Sequence, residues 1–353
     1  MFALYVGLAV AILLIVLNIV LKKLSFVPKE ARILSIIVVL VGYIYWGFEP
    51  FAHHEMHPHV EDASYAFDGK QDIEMLEAAK IDATATKAFW ASVAKIAEHK
   101  GNAVAGKELV AANCTACHSM KSEGFPQLMS DADAAASYGV TPPDLSIAGR
   151  VYDRNYLIAF ISNPVKAMHI EHKYPVGGDK VFPMPSSDFM QPQEIADMVA
   201  YLSDAASKVP APKVKEGATE FEISKAANKE VFETACVRCH SMNYAGIQAK
   251  TTAEAMSKYI GATPPDLSQY IRSRGDHYLH NFINDPQRKL SGTGMPRVGL
   301  NEKAQTQVVE YMTQIGDSKK DEREALGPKV LIYLTILAIF ALLWKQKIWR
   351  DLH

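Results

Sequence analysis

The chain divides into two apolar ends and a long amphipathic middle. Residues 1–21, MFALYVGLAVAILLIVLNIVL, carry no charge and are long enough to cross a hydrocarbon core of about 30 Å as a helix. Ile33 to Phe48 forms a second, shorter run. Val330 to Trp344 forms a third, which the lysines beyond it can extend by snorkelling. Between the ends the pattern predicts helices. GKELVAAN and NKEVFETA read as one pair, and about Asp153–Ser162 and Asp276–Asn284 as a second. In QEIADMVAYL and AQTQVVEYM the apolar residues recur at three- and four-residue spacing, which predicts last helices at about Gln193–Ser207 and Glu302–Gly316.

The basic residues orient the ends. Lys22, Lys23, Lys29 and Arg32 fill the loop between the first two runs, and Lys345, Lys347 and Arg350 follow the third. Basic loops stay in the cytoplasm, so the loop at 22–32 and the C-terminus are expected inside and residues 52–328 outside. A cleaved signal peptide would carry its charge before the apolar stretch, whereas here the charge follows it. The whole chain of 353 residues has a net charge of −2, which gives no reason to expect nucleic-acid binding. The expected external part is acidic, with 29 basic against 36 acidic residues, which would favour a basic soluble partner. At 49% hydrophobic, the chain is not disordered over its length.

The middle is a duplication with an offset of 122 residues. Thr141-Pro-Pro-Asp-Leu-Ser146 recurs as Thr263-Pro-Pro-Asp-Leu-Ser268. Gly139, Arg150, Tyr156, Phe160 and Pro164 recur as Gly261, Arg272, Tyr278, Phe282 and Pro286. The stretch SKVPAPKVKEGATEFE, residues 207–222, separates the copies.

All four cysteines lie in this duplication, as Cys114-Thr-Ala-Cys117-His118 and Cys236-Val-Arg-Cys239-His240. C-x-x-C-H is the pattern of c-type haem attachment. Two thiols one helical turn apart can form thioethers to the two vinyl groups of one haem, and the adjacent histidine then sits under the iron. The competing uses fit less well. Structural zinc needs a fourth ligand at finger spacing, and a redox dithiol belongs in a βαβ context, whereas these surroundings read helical. Two covalently bound haem c groups are therefore expected. Such thioethers are made outside the bacterial cytoplasmic membrane, where the charge rule independently places residues 52–328.

Methionine opposite histidine raises the potential of an electron-transfer haem. Met184 and Met295, each followed by proline and each preceding the last helix of its copy, are the candidate sixth ligands. Met168, Met190, His169 and His172 compete with Met184, and core gap-filling is the plain alternative for every methionine. The expected iron ligands are therefore His118 with Met184 and His240 with Met295. Pro143 and Pro265, in the stiff Pro-Pro segments, are candidate haem walls with a carbonyl placed to hold the histidine ring; a plain turn is the alternative. Arg150 and Arg272 are candidate partners for haem propionates, or solvated arginines. His53, His54, His57 and His59 cluster after the second apolar run and read as an interfacial loop or a partner contact rather than a metal site. No Ser/His/Asp set or phosphate loop is present, so no catalytic residue is expected in the chain itself.

The segment GATPPDLSQYIRSRGDHYLHNFINDP, with CxxCH before it and Met-Pro after it, resembles the cytochrome c₁ signature, and the chain resembles the di-haem, c₁-like subunit of bacterial cytochrome bc complexes over about residues 101–353. Departures are the duplicated haem domain, two extra N-terminal helices and the lack of long c₁-type insertions. The resemblance implies an electron-transfer subunit of a quinol:cytochrome c oxidoreductase. Its partners would be a cytochrome b subunit and a Rieske iron–sulfur subunit in a dimeric complex, and its acceptor a soluble cytochrome c or a terminal oxidase. A di-haem subunit of a cbb₃-type oxidase is the rival, although it lacks the C-terminal anchor and the Pro-Pro-Asp-Leu-Ser segment. A di-haem peroxidase would need an open haem site. The expected architecture is all-α, with two tandem cytochrome c-type haem domains. It comprises an N-terminal transmembrane helix pair (1–51), an external linker with a helix (52–100), a first haem domain (101–206), a linker (207–222), a second haem domain (223–317) and a C-terminal transmembrane anchor (318–353).

Overall fold

The computed structural model describes residues 2–23, 27–49, 51–52 and 62–352. Among them there are helices, turns and isolated bridges but no strand. The four histidines between 53 and 59 lie outside the described residues. Two compact units are present, Met1–Glu61 and Asp62–His353.

In the first unit the helix Phe2–Lys23 packs against Lys29–Tyr43, which continues through a wider turn over Ile44–Phe48. Pro28, which has no N–H to donate, opens the second of these helices. Ile12, Leu13, Ile37 and Val38 are all exposed, which leaves an apolar outer face.

In the second unit each copy begins with a helix that leads into CxxCH, Ala103–Asn113 and Glu220–Ala235. Asn102 caps the first. Thr219 and Glu222 form a capping box on the second, so it starts eight residues before NKEVFETA. The predicted pairs follow as Arg154–Ser162 with Asp276–Asn284, and Pro192–Lys208 with Glu302–Gly316. A short helix not anticipated from the pattern precedes each Pro-Pro segment, Asp131–Tyr138 and Ala253–Ile260. Both end on a left-handed glycine, Gly139 and Gly261. In each copy the first and last helices pack on one another and define a core.

The stretch before the first copy is more than a linker. It carries two helices, Lys70–Ala78 and Thr84–Ala97, and its Phe67, Phe89, Trp90, Val93 and Ile96 complete the core of the first copy. The copies are also joined. The segment after Met295 lies along the first copy, with Arg297 N–H donating to the Met168 carbonyl (2.9 Å), Asp153 N–H to Gly299 (3.0 Å) and Asn301 N–H to Val151 (3.1 Å). Gly299 is required there, because its φ is +73° and a Cβ would lie 2.0 Å from the Tyr156 ring.

A buried ion cluster sits at this joint. Arg297 forks onto Asp72 and Asp285, His169 Nε2 meets Asp72 at 2.8 Å, and Trp90 Nε1 donates to Asp72 at 2.8 Å. The four charged side chains are between 3% and 11% exposed. They come from the segment before the first copy (Asp72), the first copy (His169) and the second copy (Asp285 and Arg297).

The last helix of the second copy ends at Gly316, and Lys320–Leu352 begins three residues beyond Asp317, which Arg323 grips with both nitrogens. This terminal helix of 33 residues is about 50 Å long at 1.5 Å per residue. Its Lys320–Arg350 part is long and apolar enough to cross a membrane, and its apolar window is wholly unburied.

Candidate haem sites

Each leading helix ends on the first cysteine of its motif. Cys114 and Cys236 share a backbone conformation (φ −114° and −112°) that turns the chain out of the helix. The next turn closes identically in both copies. Cys117 and His118 N–H both donate to the Cys114 carbonyl (3.1 and 2.9 Å), and Cys239 and His240 do the same to Cys236 (3.0 and 2.9 Å). Both thiols and the imidazole of each motif are thus carried on one short turn. All four thiols are free, and burial pushes Cys114 up to about 11 and Cys236 up to about 12.

The Pro-Pro segment is stitched back to this turn. His118 Nδ1 meets the Pro143 carbonyl at 2.9 Å, and His240 Nδ1 meets Pro265 at 2.8 Å. With the carbonyl as acceptor, Nδ1 carries the proton and Nε2 keeps its lone pair for a metal. Asp144 holds Ser119 and the Lys121 N–H, and Asp266 holds the Asn243 N–H. Leu145 and Leu267 N–H donate to the Ser119 and Ser241 carbonyls. Burial, and behind it the charge of Arg238, pushes His118 below the ordinary histidine range, against the upward pull of the Pro143 carbonyl. Burial likewise lowers His240. Both shifts favour the neutral imidazole, the form that binds iron.

The residues fit haem c better than zinc. Among the described residues the only convergence of three potential metal ligands is Asp72, His169 and Asp285, so neither CxxCH finds the further ligand that a tetrahedral site requires.

Met184 and Met295 are both half-buried, as is Met190. Gln287 steadies the loop of Met295 through the Met295 carbonyl (3.3 Å) and the Gly292 N–H (3.0 Å). The other candidates in the first copy have these surroundings. His169 is in the ion cluster and His172 Nε2 meets the Thr293 carbonyl at 3.3 Å. Met168 is buried beside Ile170 and Tyr174, and Met190 packs on the first core.

Arg150 and Arg272 are turned to protein carboxylates. Arg150 pairs with Glu230 at 2.5 Å and donates to the Val209 carbonyl at 3.3 Å. Arg272 Nε lies 3.9 Å from Asp317. Long side chains near a copy boundary take the nearest acid, and the duplication places different acids beside the two.

The family model "Cytochrome c" matches residues 103–206 and again 226–316, more than half of the chain. The chain belongs to the cytochrome c family. Such domains bind haem c covalently and transfer electrons. No curated protein matches the chain. A solved structure titled "Hyperthermophilic respiratory Complex III" aligns at 20% identity, covering 41% of this chain and 81% of its own, with a TM-score of 0.29.

Proposed function

We propose that this cytochrome c chain is the di-haem electron-transfer subunit of a quinol:cytochrome c oxidoreductase in a bacterial cytoplasmic membrane. It would take single electrons from a Rieske iron–sulfur subunit beside a cytochrome b subunit and deliver them to a soluble cytochrome c or a terminal oxidase. The observation that carries this reading is the pair of identically built CxxCH turns, each closed by a Pro-Pro-Asp-Leu-Ser segment, followed by an unburied apolar helix at the C-terminus. The N-terminal helices Phe2–Lys23 and Lys29–Tyr43, with exposed apolar faces and basic residues between them, are read as two further spans that leave the haem domains on the outer side. Those two helices also suit the cbb₃-type oxidase reading; the C-terminal apolar helix and the Pro-Pro-Asp-Leu-Ser segments favour the first.

Each bound haem would supply an iron that alternates between the ferric and ferrous states. His118 with Met184 would hold one and His240 with Met295 the other, and the two cysteines of each motif would tether its haem. The Pro143 and Pro265 carbonyls fix the imidazole tautomer and ring angle, which limits rearrangement around the metal.

The isolated complex is expected to contain b-type haem and a Rieske cluster beside two c-type haems per copy of this chain, read by pyridine haemochrome spectra and electron paramagnetic resonance. Copper with a haem–copper oxidase subunit in equal amount would overturn the assignment. Met295→His is expected to keep both covalent haems and to lower the potential of one by on the order of 0.1 V, within the range of about 0.8 V that axial ligation covers. Unchanged potentials would remove Met295 as a ligand.

A further inference from the structure

The second attachment motif contains an arginine, Arg238, where the first has Ala116. Its side chain lies at the joint between the copies. Its charge bears on Tyr152 and Tyr156 of the first copy, on Cys239 and Tyr259 of the second, and on the first copy's His118. Tyr152 itself packs against both cores. Among the described residues no carboxylate pairs with Arg238. Its Nε is buried without an acceptor, and the neighbouring Tyr152 hydroxyl is buried with no partner but the Arg238 side chain.

A guanidinium partly withdrawn from water without an anion is costly, and a buried hydroxyl without an acceptor adds to the cost. The contrast within this unit is direct, because the buried Arg297 has two carboxylates. The protein supplies no anion to Arg238, so the anion has to come with a ligand. Haem carries two propionate carboxylates, and a planar guanidinium is suited to a carboxylate.

We propose that Arg238 and Tyr152 form a propionate-binding pair at the joint, with Arg238 reaching from the second attachment motif to the haem of the first copy. The inference rests on the haem reading of CxxCH. It adds Arg238 to Arg150 and Arg272, which lie beside Glu230 and Asp317, as a candidate propionate partner. The duplication does not repeat the device, because the counterparts of Arg238 and Tyr152 are Ala116 and Arg274.

The test uses the full chain with its haems and reads covalent haem count, redox titration and the propionate bending bands in resonance Raman spectra. Arg238→Gln is expected to keep two thioether-linked haems, to shift one of the two potentials downward, and to move one set of propionate bands. Tyr152→Phe, which leaves the attachment motif intact, is expected to move the same bands by less. Two haems with unmoved bands in Arg238→Gln would overturn the proposal. Should that variant lose haem, unmoved bands in Tyr152→Phe would overturn it, since removing a hydroxyl with a purely structural role leaves the propionates undisturbed. Fewer than two thioether-linked haems in the unsubstituted chain would overturn the haem reading and this inference together.

Discussion

Arg297→Met is expected to destabilise the 62–353 unit by about 3–5 kcal/mol, the cost of breaking a buried ion pair by removing one partner. The substitution keeps most of the side-chain volume and removes the charge that Asp72 and Asp285 share. The two acids are then left with His169 as their one cationic partner among the described residues, in a site from which water is largely excluded. Chemical denaturation of the haem-loaded chain, with Arg297→Lys as the milder comparison, measures the loss; a change below about 1 kcal/mol, the median worth of an exposed pair, would show that the cluster contributes no more than a surface bridge.

The same cluster predicts a pH dependence. Against the opposing effects of burial and of Arg297, Asp72 and Asp285 hold the His169 pKa up to about 9. A raised histidine pKa contributes stability that is complete below the unfolded value near 6.5 and is lost as pH rises through 9. Stability should therefore decline between about pH 6.5 and pH 9, and His169→Gln should flatten that decline. At the acid end, despite the opposing cost of burial, His169, with Nδ1 at 3.4 Å, and the charge of Arg297 hold Asp285 down to about 2. Its contribution is complete above about pH 4 and disappears as pH falls toward 2.

The second large effect is on cofactor content. Replacing Cys236 and Cys239 together by alanine should halve covalent haem, from two to one per chain, with haem-stained mass and the pyridine haemochrome spectrum as the measure. His240 and Met295 would then hold any haem at that site by coordination only, so the loss should be complete under denaturing conditions. The effect on folding should reach beyond one copy, because Ile147 and Val151 of the first copy belong to the second core. A ligand that binds the folded state stabilises it, so the unfolding temperature of the whole unit should fall. Two covalent haems remaining in the double variant would refute the role of the CxxCH turn.

The parts that the sequence made readable are those set by local rules. The three- and four-residue spacing of Ile195, Met198, Val199 and Leu202, and of Val308, Val309 and Met312, located the last helices, and these residues are buried. The anticipated carbonyl behind each imidazole is the one from Pro143 and Pro265. The early start at Glu220 was missed, since residues 207–222 read as a linker, although Thr219 and Glu222 have capping-box spacing. What else was missed depends on distant pairing. Asp72, His169, Asp285 and Arg297 are scattered over 225 residues, and charged side chains are ordinarily placed on the surface. The partners of Arg150 and Arg272 were obscured for the same reason, since long side chains are aimed by tertiary neighbours. The helices at 70–78 and 84–97 belong to the first core because Phe67, Phe89 and Trp90 need a surface to cover, which an external linker would not provide.

The strand-like crossing of residues 297–301 over the first copy has a consequence for how the duplication can change. A chain cut at the 207–222 connection would leave the Tyr156 hydroxyl without the Arg297 carbonyl it donates to at 2.7 Å, and Asp72 without its guanidinium. Neither half is then an autonomous module that can be excised, exchanged or inherited alone, and the two copies must diversify as one heritable piece.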